Sequence, residues 1–132
     1  MIMSEDNIEL IRRGYEAYAR RDFLSVFALL HPDVEIYQTE LLPWGGTYRG
    51  HTEAREFFRK LNEQTEGQPV PTNFISAGDE VVAVGRLRGR VRANWQGYDL
   101  AIVHLWRVRE GQVVRFAAYI DTPGMLSALA GD

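Results

Sequence analysis

The chain has 132 residues, 45% of them hydrophobic and 25% charged, and no cysteine. That length supplies one core, so residues 1–132 are expected to form a single domain, and the lack of thiols excludes disulfide frameworks, thiolate metal sites and cysteine nucleophiles. Fifteen basic against 18 acidic residues leave a net charge of −3, no basic field for nucleic acid or an anionic membrane, and neither partner is expected.

No apolar run approaches the roughly 20 residues of a membrane span. The opening MIMSEDNIEL lacks the basic and apolar regions of a secretory leader, so a cytoplasmic protein is expected. Lys60 is the only lysine beside 14 arginines, the bias of a GC-rich bacterial genome.

Asp6 to Arg20 reads as an amphipathic helix, with Ile8, Ile11, Tyr15 and Tyr18 on one face and Glu9, Arg12, Arg13 and Glu16 outward. Ser4 or Asp6 supplies its cap. Phe23 to Leu30 is a shorter helix capped by Asp22 and ended by His31-Pro32-Asp33, since the residue before a proline leaves helical geometry. Val34 to Gln38 alternates as a short strand. Leu41 to Gly50, with Pro43, Gly45 and Gly46, reads as a loop. Thr52 to Glu66 is a third helix with Ala54, Phe57, Phe58 and Leu61 apolar, and Gly67 to Pro71 a turn-rich break.

From Asn73 the period changes from 3.6 to 2. Glu80 to Trp95 and Tyr98 to Arg109 are long strands, Glu110-Gly111 a tight hairpin turn, and Gln112 to Asp121 the last strand. Thr122-Pro123 looks like the cap and first turn of a short helix, Gly124 to Leu129. Segregated helices and antiparallel strands give an α+β class. There is no internal repeat.

The stretches YEAYARRDFLSVFALLHPDVEIY, PWGGTYRGHTEAREFF and HLWRVREGQVVRFAAYIDT resemble the SnoaL-like family. That family belongs to the nuclear transport factor two fold, with ketosteroid isomerases, limonene epoxide hydrolases and scytalone dehydratases. The resemblance covers nearly the whole chain. It implies a cone-shaped α+β barrel: a curved, mixed, mostly antiparallel sheet wrapped around three helices from the N-terminal half, with a concave pocket and commonly a dimer. It says less of function, because the fold hosts enzymes, binding modules and adaptors.

Aligning the last hairpin with the family places His104 where ketosteroid isomerases carry their oxyanion-binding aspartic acid. Alternation then turns Tyr98, Leu100, Ile102, His104 and Trp106 inward, with Val114, Phe116, Ala118 and Ile120 from the last strand and Leu87, Gly89, Val91 and Ala93 from the long one. This interior is apolar with one imidazole, suited to a small hydrophobic molecule with few polar anchors. The opposite face carries Arg86, Arg88, Arg90 and Arg92, read as a solvated face paired with acids, beside an apolar strip of Ala101, Val103 and Leu105. A homodimer through this outer sheet face is the simplest cover for the strip.

By the same resemblance the isomerases' base falls on Gln38, their tyrosine near Gly14, and the cyclases' catalytic aspartate near Ala118. Neither Gln38 nor Ala118 can move a proton, which argues against both mechanisms. His104 remains as the candidate acid, base or hydrogen-bond donor. The other reading is a buried histidine satisfied by Gln38 or a tyrosine hydroxyl. Gln38, Trp44, Tyr18, Trp106, Phe116 and Ala118 are the candidate ligand-binding residues. Gln38 orients a ligand carbonyl or His104. Trp44 is either a lid or a core plug, and Tyr15 or Tyr18 either a core aromatic or a hydroxyl donor into the pocket. Asp121 reads as a cap or strand end. His31 and His51 form no metal-ligand spacing with His104, so no metal and no cofactor are expected. Three functions stay open: a small-molecule enzyme of isomerase, cyclase or hydrolase type acting through His104, a non-catalytic dimeric module that binds a small molecule or a partner, and an anion-binding surface on the arginine face.

Overall fold

The computed structural model describes residues 4–132. Helix α1 (Ser4–Ala19) leads to α2 (Phe23–Ala28), strand β1 (Leu30–Gln38), strand β2 (Gly46–Arg49) and α3 (Gly50–Gln64). Four strands follow, β3 (Thr65–Ala77), β4 (Glu80–Val91), β5 (Gly97–Arg109) and β6 (Gln112–Ile120), then α4 (Thr122–Ala130). The strands form one sheet in the order β2-β1-β6-β5-β4-β3, in which only β1 and β6 run parallel. The sheet is curved but does not close: β2 and β3 are its edges, so the expected cone is an open wrap rather than a barrel. Helix α1 packs on α2 and β3, α3 on β1 and β2, and α4 on β5.

The helix patterns act as the physics requires. Ile11 and Tyr15 of α1 are buried while Glu9, Arg12, Arg13 and Glu16 stay in water. Because Ser4 is already helical, neither it nor Asp6 occupies the cap, which falls outside the described residues. Phe57 of α3 and Met125 of α4 are fully buried, and each such side chain stabilises the fold by about 1.5–3 kcal/mol. Helix α2 is capped by Asp22, whose Oδ1 accepts from the Ser25 amide at 3.2 Å. At α4 the cap is Asp121 rather than Thr122, its Oδ1 accepting from the Gly124 amide at 3.0 Å. In the hairpin turn Glu110 and Gly111 both adopt positive φ, the left-handed pair that a two-residue hairpin needs and a glycine eases.

Five expectations need correction. Helix α2 stops at Ala28 and β1 starts at Leu30, so His31-Pro32 lies within an extended strand. The loop from Leu41 contains β2, and α3 begins at Gly50. The segment Gly67 to Pro71 is not a break but the middle of β3. Its prolines are tolerated because β3 is an edge strand, where a missing N–H leaves no ladder bond unmade. Strand β4 ends at Val91, and Ala93 sits exposed in the turn beyond it instead of facing inward. Finally, Val113 rather than Val114 is buried. A bulge lets one step on β5, Arg107 to Val108, match two on β6, Arg115 to Val113, which reverses the facing at that end.

On the outer face Val103 is 40% and Tyr119 46% exposed, with Ala101 beside them. Each arginine of the β4 ladder has a protein partner. Arg86 and Arg88 share Asp99, Arg92 meets Glu66, and Arg90 donates to the Trp95 carbonyl. Among the described residues no helix is long and apolar enough to cross a membrane.

Candidate functional site

The concave side of the sheet and the inner faces of α1, α2 and α3 enclose a cavity of about 100 Å³. Alternation along β5 aims His104 into it. The neighbours of His104 across the sheet are Ala83 on β4 and Ala118 on β6. Two methyl groups cannot cover an imidazole, so the small neighbours leave room over the ring. Phe116 meets that ring edge-on at 5.0 Å between centroids, and Trp106 lies on Phe116 at 4.1 Å.

One chain of hydrogen bonds organises this end of the cavity. The Trp106 indole N–H donates to the Tyr15 hydroxyl at 2.9 Å. Tyr15 Oη lies 2.7 Å from Nδ1 of His104. An indole can only donate, so the Tyr15 oxygen is the acceptor of the first bond. Giving its own hydrogen to Nδ1 is the assignment that leaves no hydrogen of this chain without an acceptor; a donating Nδ1 would leave the Tyr15 hydrogen unpartnered. A neutral imidazole that accepts at Nδ1 carries its proton on Nε2. His104 is 7% exposed, and burial pushes its pKa down to about 4, so it is neutral at pH 7. Burial raises the Tyr15 hydroxyl well above its ordinary value, against a smaller lowering by the Trp106 bond. Both groups therefore meet a ligand uncharged.

A second chain fixes the opposite wall. Gln38 ends β1, and its Oε1 accepts from the Trp44 indole at 2.8 Å. The Tyr48 hydroxyl holds the Trp44 carbonyl at 2.8 Å. Trp44 is 1% exposed, a plug in the core rather than a lid. With its carbonyl occupied, Gln38 has its amide NH2 to offer. Gln38 does not bond His104; the partner of His104 is Tyr15, the tyrosine hydroxyl of the alternative reading. Tyr18 reaches the cavity from α1, its hydroxyl 3.5 Å from Asn62 Oδ1 and its pKa raised by burial.

His104, Gln38, Trp44, Tyr18, Trp106, Phe116 and Ala118 all line this one cavity. Asp121 lies outside it, capping α4. Among the described residues no Asp, Glu, Lys or Arg lines the cavity, and no group of three or more His, Asp or Glu is placed to hold a metal ion. Sequence reasoning did not single out Tyr15 as the partner of His104. The available signal was its place next to Gly14, where the family resemblance puts a tyrosine. It also gave no role to Thr65, which lines the wall where α3 passes into β3.

A nuclear transport factor two-like protein of unknown function from Burkholderia pseudomallei is 32% identical over 97% of this chain and 98% of its own, with a TM-score of 0.89. A nuclear transport factor two-like protein from Burkholderia xenovorans is 26% identical over 98% and 99%, with a TM-score of 0.86. TerC, co-crystallised with polyporic acid, is 29% identical over 94% and 98%, also at 0.86. No curated protein matches the chain. Residues 11–116 match the SnoaL-like domain model. With most of its length matched and the concave pocket in place, the chain belongs to the SnoaL-like family.

Proposed function

We propose that this protein binds one small, largely apolar ring compound through a carbonyl oxygen, which accepts a hydrogen bond from Nε2 of neutral His104. The observation that carries this reading is the chain from Trp106 through Tyr15 to Nδ1 of His104. It makes the buried imidazole a donor toward the cavity and not a base. In an apolar enclosure such a donor is worth more than in water, and it strengthens as negative charge develops on the oxygen it faces. The Gln38 amide is a second donor on the opposite wall. TerC, to which the chain is similar, was co-crystallised with polyporic acid, an oxygenated ring compound, which supports a ligand of that class here.

The cavity offers an electrophile without a carboxylate base among the described residues. Proton abstraction by the protein is therefore not part of this reading. A reaction in the cavity would use His104 to polarise the carbonyl, with the substrate or a water moving the proton. The same observation favours binding over turnover as the primary role.

Calorimetric titration with polyporic acid and with acetophenone tests the reading. His104→Phe keeps an aromatic ring but removes the donor, and should weaken binding of either about tenfold or more, as expected for a buried hydrogen bond left unmade. Equal affinity of the two proteins rejects it. Nitrogen NMR of the His104 ring checks the tautomer independently: a proton on Nδ1 would reverse its role.

A further inference from the structure

We infer that Phe58 is a movable partition between the cavity and a groove on the outer side of α2 and α3. The ligand that uses both spaces is an aryl compound with its ring in the cavity and a flexible side chain that crosses at Phe58 and ends in a carboxylate beside Arg55. This rests on the reading above for a ring in the cavity, and not for its bond to His104.

The cavity alone is small. At about 100 Å³ it has room for about one ring, since a dry cavity that takes up benzene measures roughly 150 Å³. A larger ligand must find space beyond the wall. The groove offers it: about 340 Å³, open to solvent, between Phe23, Leu24 and Phe27 of α2 and Arg55, Phe58 and Arg59 of α3. Among the described residues Phe58 alone lines both the cavity and this groove. Its half-buried ring packs against Phe57 and Phe27, at 5.1 and 5.7 Å between centroids, and against Tyr18 at 6.1 Å. A phenyl ring makes no hydrogen bond, so moving it breaks packing and nothing else. A helical phenylalanine has two favourable χ1 wells to move between.

The groove combines apolar surface with one unpaired charge. Leu24 is 88% exposed, and an alkyl chain lying in the groove would cover apolar surface that now faces water. The two arginines differ. Arg59 is bound to Glu56 and Glu63 and is neutralised by them. Arg55 has no carboxylate partner among the described residues. Its guanidinium lies over the Phe27 ring, 5.5 Å from the centroid. A stacked guanidinium keeps its N–H groups at the edge, available to a partner. One unpaired positive charge matches one negative charge, and the guanidinium fork meets a carboxylate through two parallel hydrogen bonds. Behind Phe58 the cavity presents no Asp, Glu, Lys or Arg among the described residues. The charge of such a ligand therefore belongs in the groove and its ring in the cavity.

The test titrates two matched pairs by calorimetry, phenylethanol with phenylacetate and phenylhexanol with phenylhexanoate. Each is added to wild type, Arg55→Gln and Phe58→Ala. In the long pair the acid should bind wild type about threefold or more tightly than the alcohol. In the short pair it should not, because that carboxylate stays in a cavity without a cation. Arg55→Gln should abolish the long-pair preference and leave the alcohol unchanged; Arg55 is exposed, so this variant keeps the fold. Phe58→Ala removes the partition and should raise the affinity of both long probes relative to phenylethanol by about threefold or more. No acid preference in the long pair, the same preference in Arg55→Gln, or one that the short pair shares overturns the proposal. So does an unchanged ratio of long to short probes in a folded Phe58→Ala protein. If the short probes bind and the long ones do not, the cavity stands and the partition falls. If no probe binds, both fall. If the preference depends on Arg55 while His104→Phe binds acetophenone as wild type does, the partition stands and the His104 reading falls.

Discussion

The buried imidazole makes a quantitative statement about acid stability. His104 has an ordinary pKa of 6.5 in the unfolded chain, and burial holds it at about 4 in the folded protein. Between those values the unfolded state binds the proton that the folded state refuses. Stability from this group is therefore complete above about pH 6.5 and drains away as pH falls toward 4. At about 1.36 kcal/mol per pKa unit, the loss is about 2 kcal/mol by pH 5 and about 3 kcal/mol in full. That is a sizeable part of the roughly 5–15 kcal/mol total of a domain. The assay is urea unfolding followed by tryptophan fluorescence at several pH values between about 7.5 and 5, on wild type and His104→Phe. The difference between the two proteins is the informative quantity. Carboxylates held below their usual range by hydrogen bonds, such as Asp22, Glu35 and Asp99, also lose stability on acidification. Their contribution is common to both proteins and cancels. Wild type should lose about 2 kcal/mol relative to the variant over that range. A constant difference between them would show that the folded protein accepts the proton on His104, and would refute the neutral-donor assignment.

Tyr15→Phe leaves the Trp106 N–H and His104 Nδ1 without their shared partner. It should cost about 1–3 kcal/mol in urea unfolding. A loss smaller than about 0.5 kcal/mol, the low end for one hydrogen bond, would mean that the chain does not organise the site. Trp44→Phe strips Gln38 Oε1 of its donor and should cost at least as much, since packing is lost too. Asp121→Ala removes the cap of α4 and should lower stability by about 1 kcal/mol, whereas Asp121→Asn should restore most of it. Phe57→Ala opens a void beneath α3 and should cost about 3–5 kcal/mol.

The fold was legible where a residue pattern has one physical reading. The inward set on β5 follows from alternation alone, because a one-residue slip would expose Leu100 and Ile102. The cap at Asp22 rests on a short side chain just before an apolar helical stripe, whereas at α4 both Asp121 and Thr122 suit the role and only the structure decides for Asp121. What stayed hidden depends on neighbours. Pro69 and Pro71 read as breakers until the sheet order shows that their strand is an edge. The bulge at Val114 is fixed by pairing between β5 and β6, and no single-strand pattern encodes it. At the site, the candidates on β1, β5 and β6 line one cavity because the inner faces of those strands converge. The bonds at the site were not legible, since Tyr15 meets His104 across 89 residues of chain. A tyrosine at helical spacing carries no mark that tells a core aromatic from a hydrogen-bond donor.

The parallel pairing of β1 with β6 sets a condition on synthesis. Glu35 and Arg115, bonded across that pair, are 80 residues apart in the chain. Until the ribosome has released β6, the inner edge of β1 has only solvent to bond with, and Val34 and Ile36 have lost one side of their burial. A nascent chain can form α3 and the β3–β4–β5 meander from local contacts, but β1 must wait for the last strand. Folding should therefore be slower than that of a helical protein of equal length, because distant segments must meet before the sheet is complete. Chains that terminate early in β6 would carry β1 as an unpaired edge, the form of strand most ready to join another molecule.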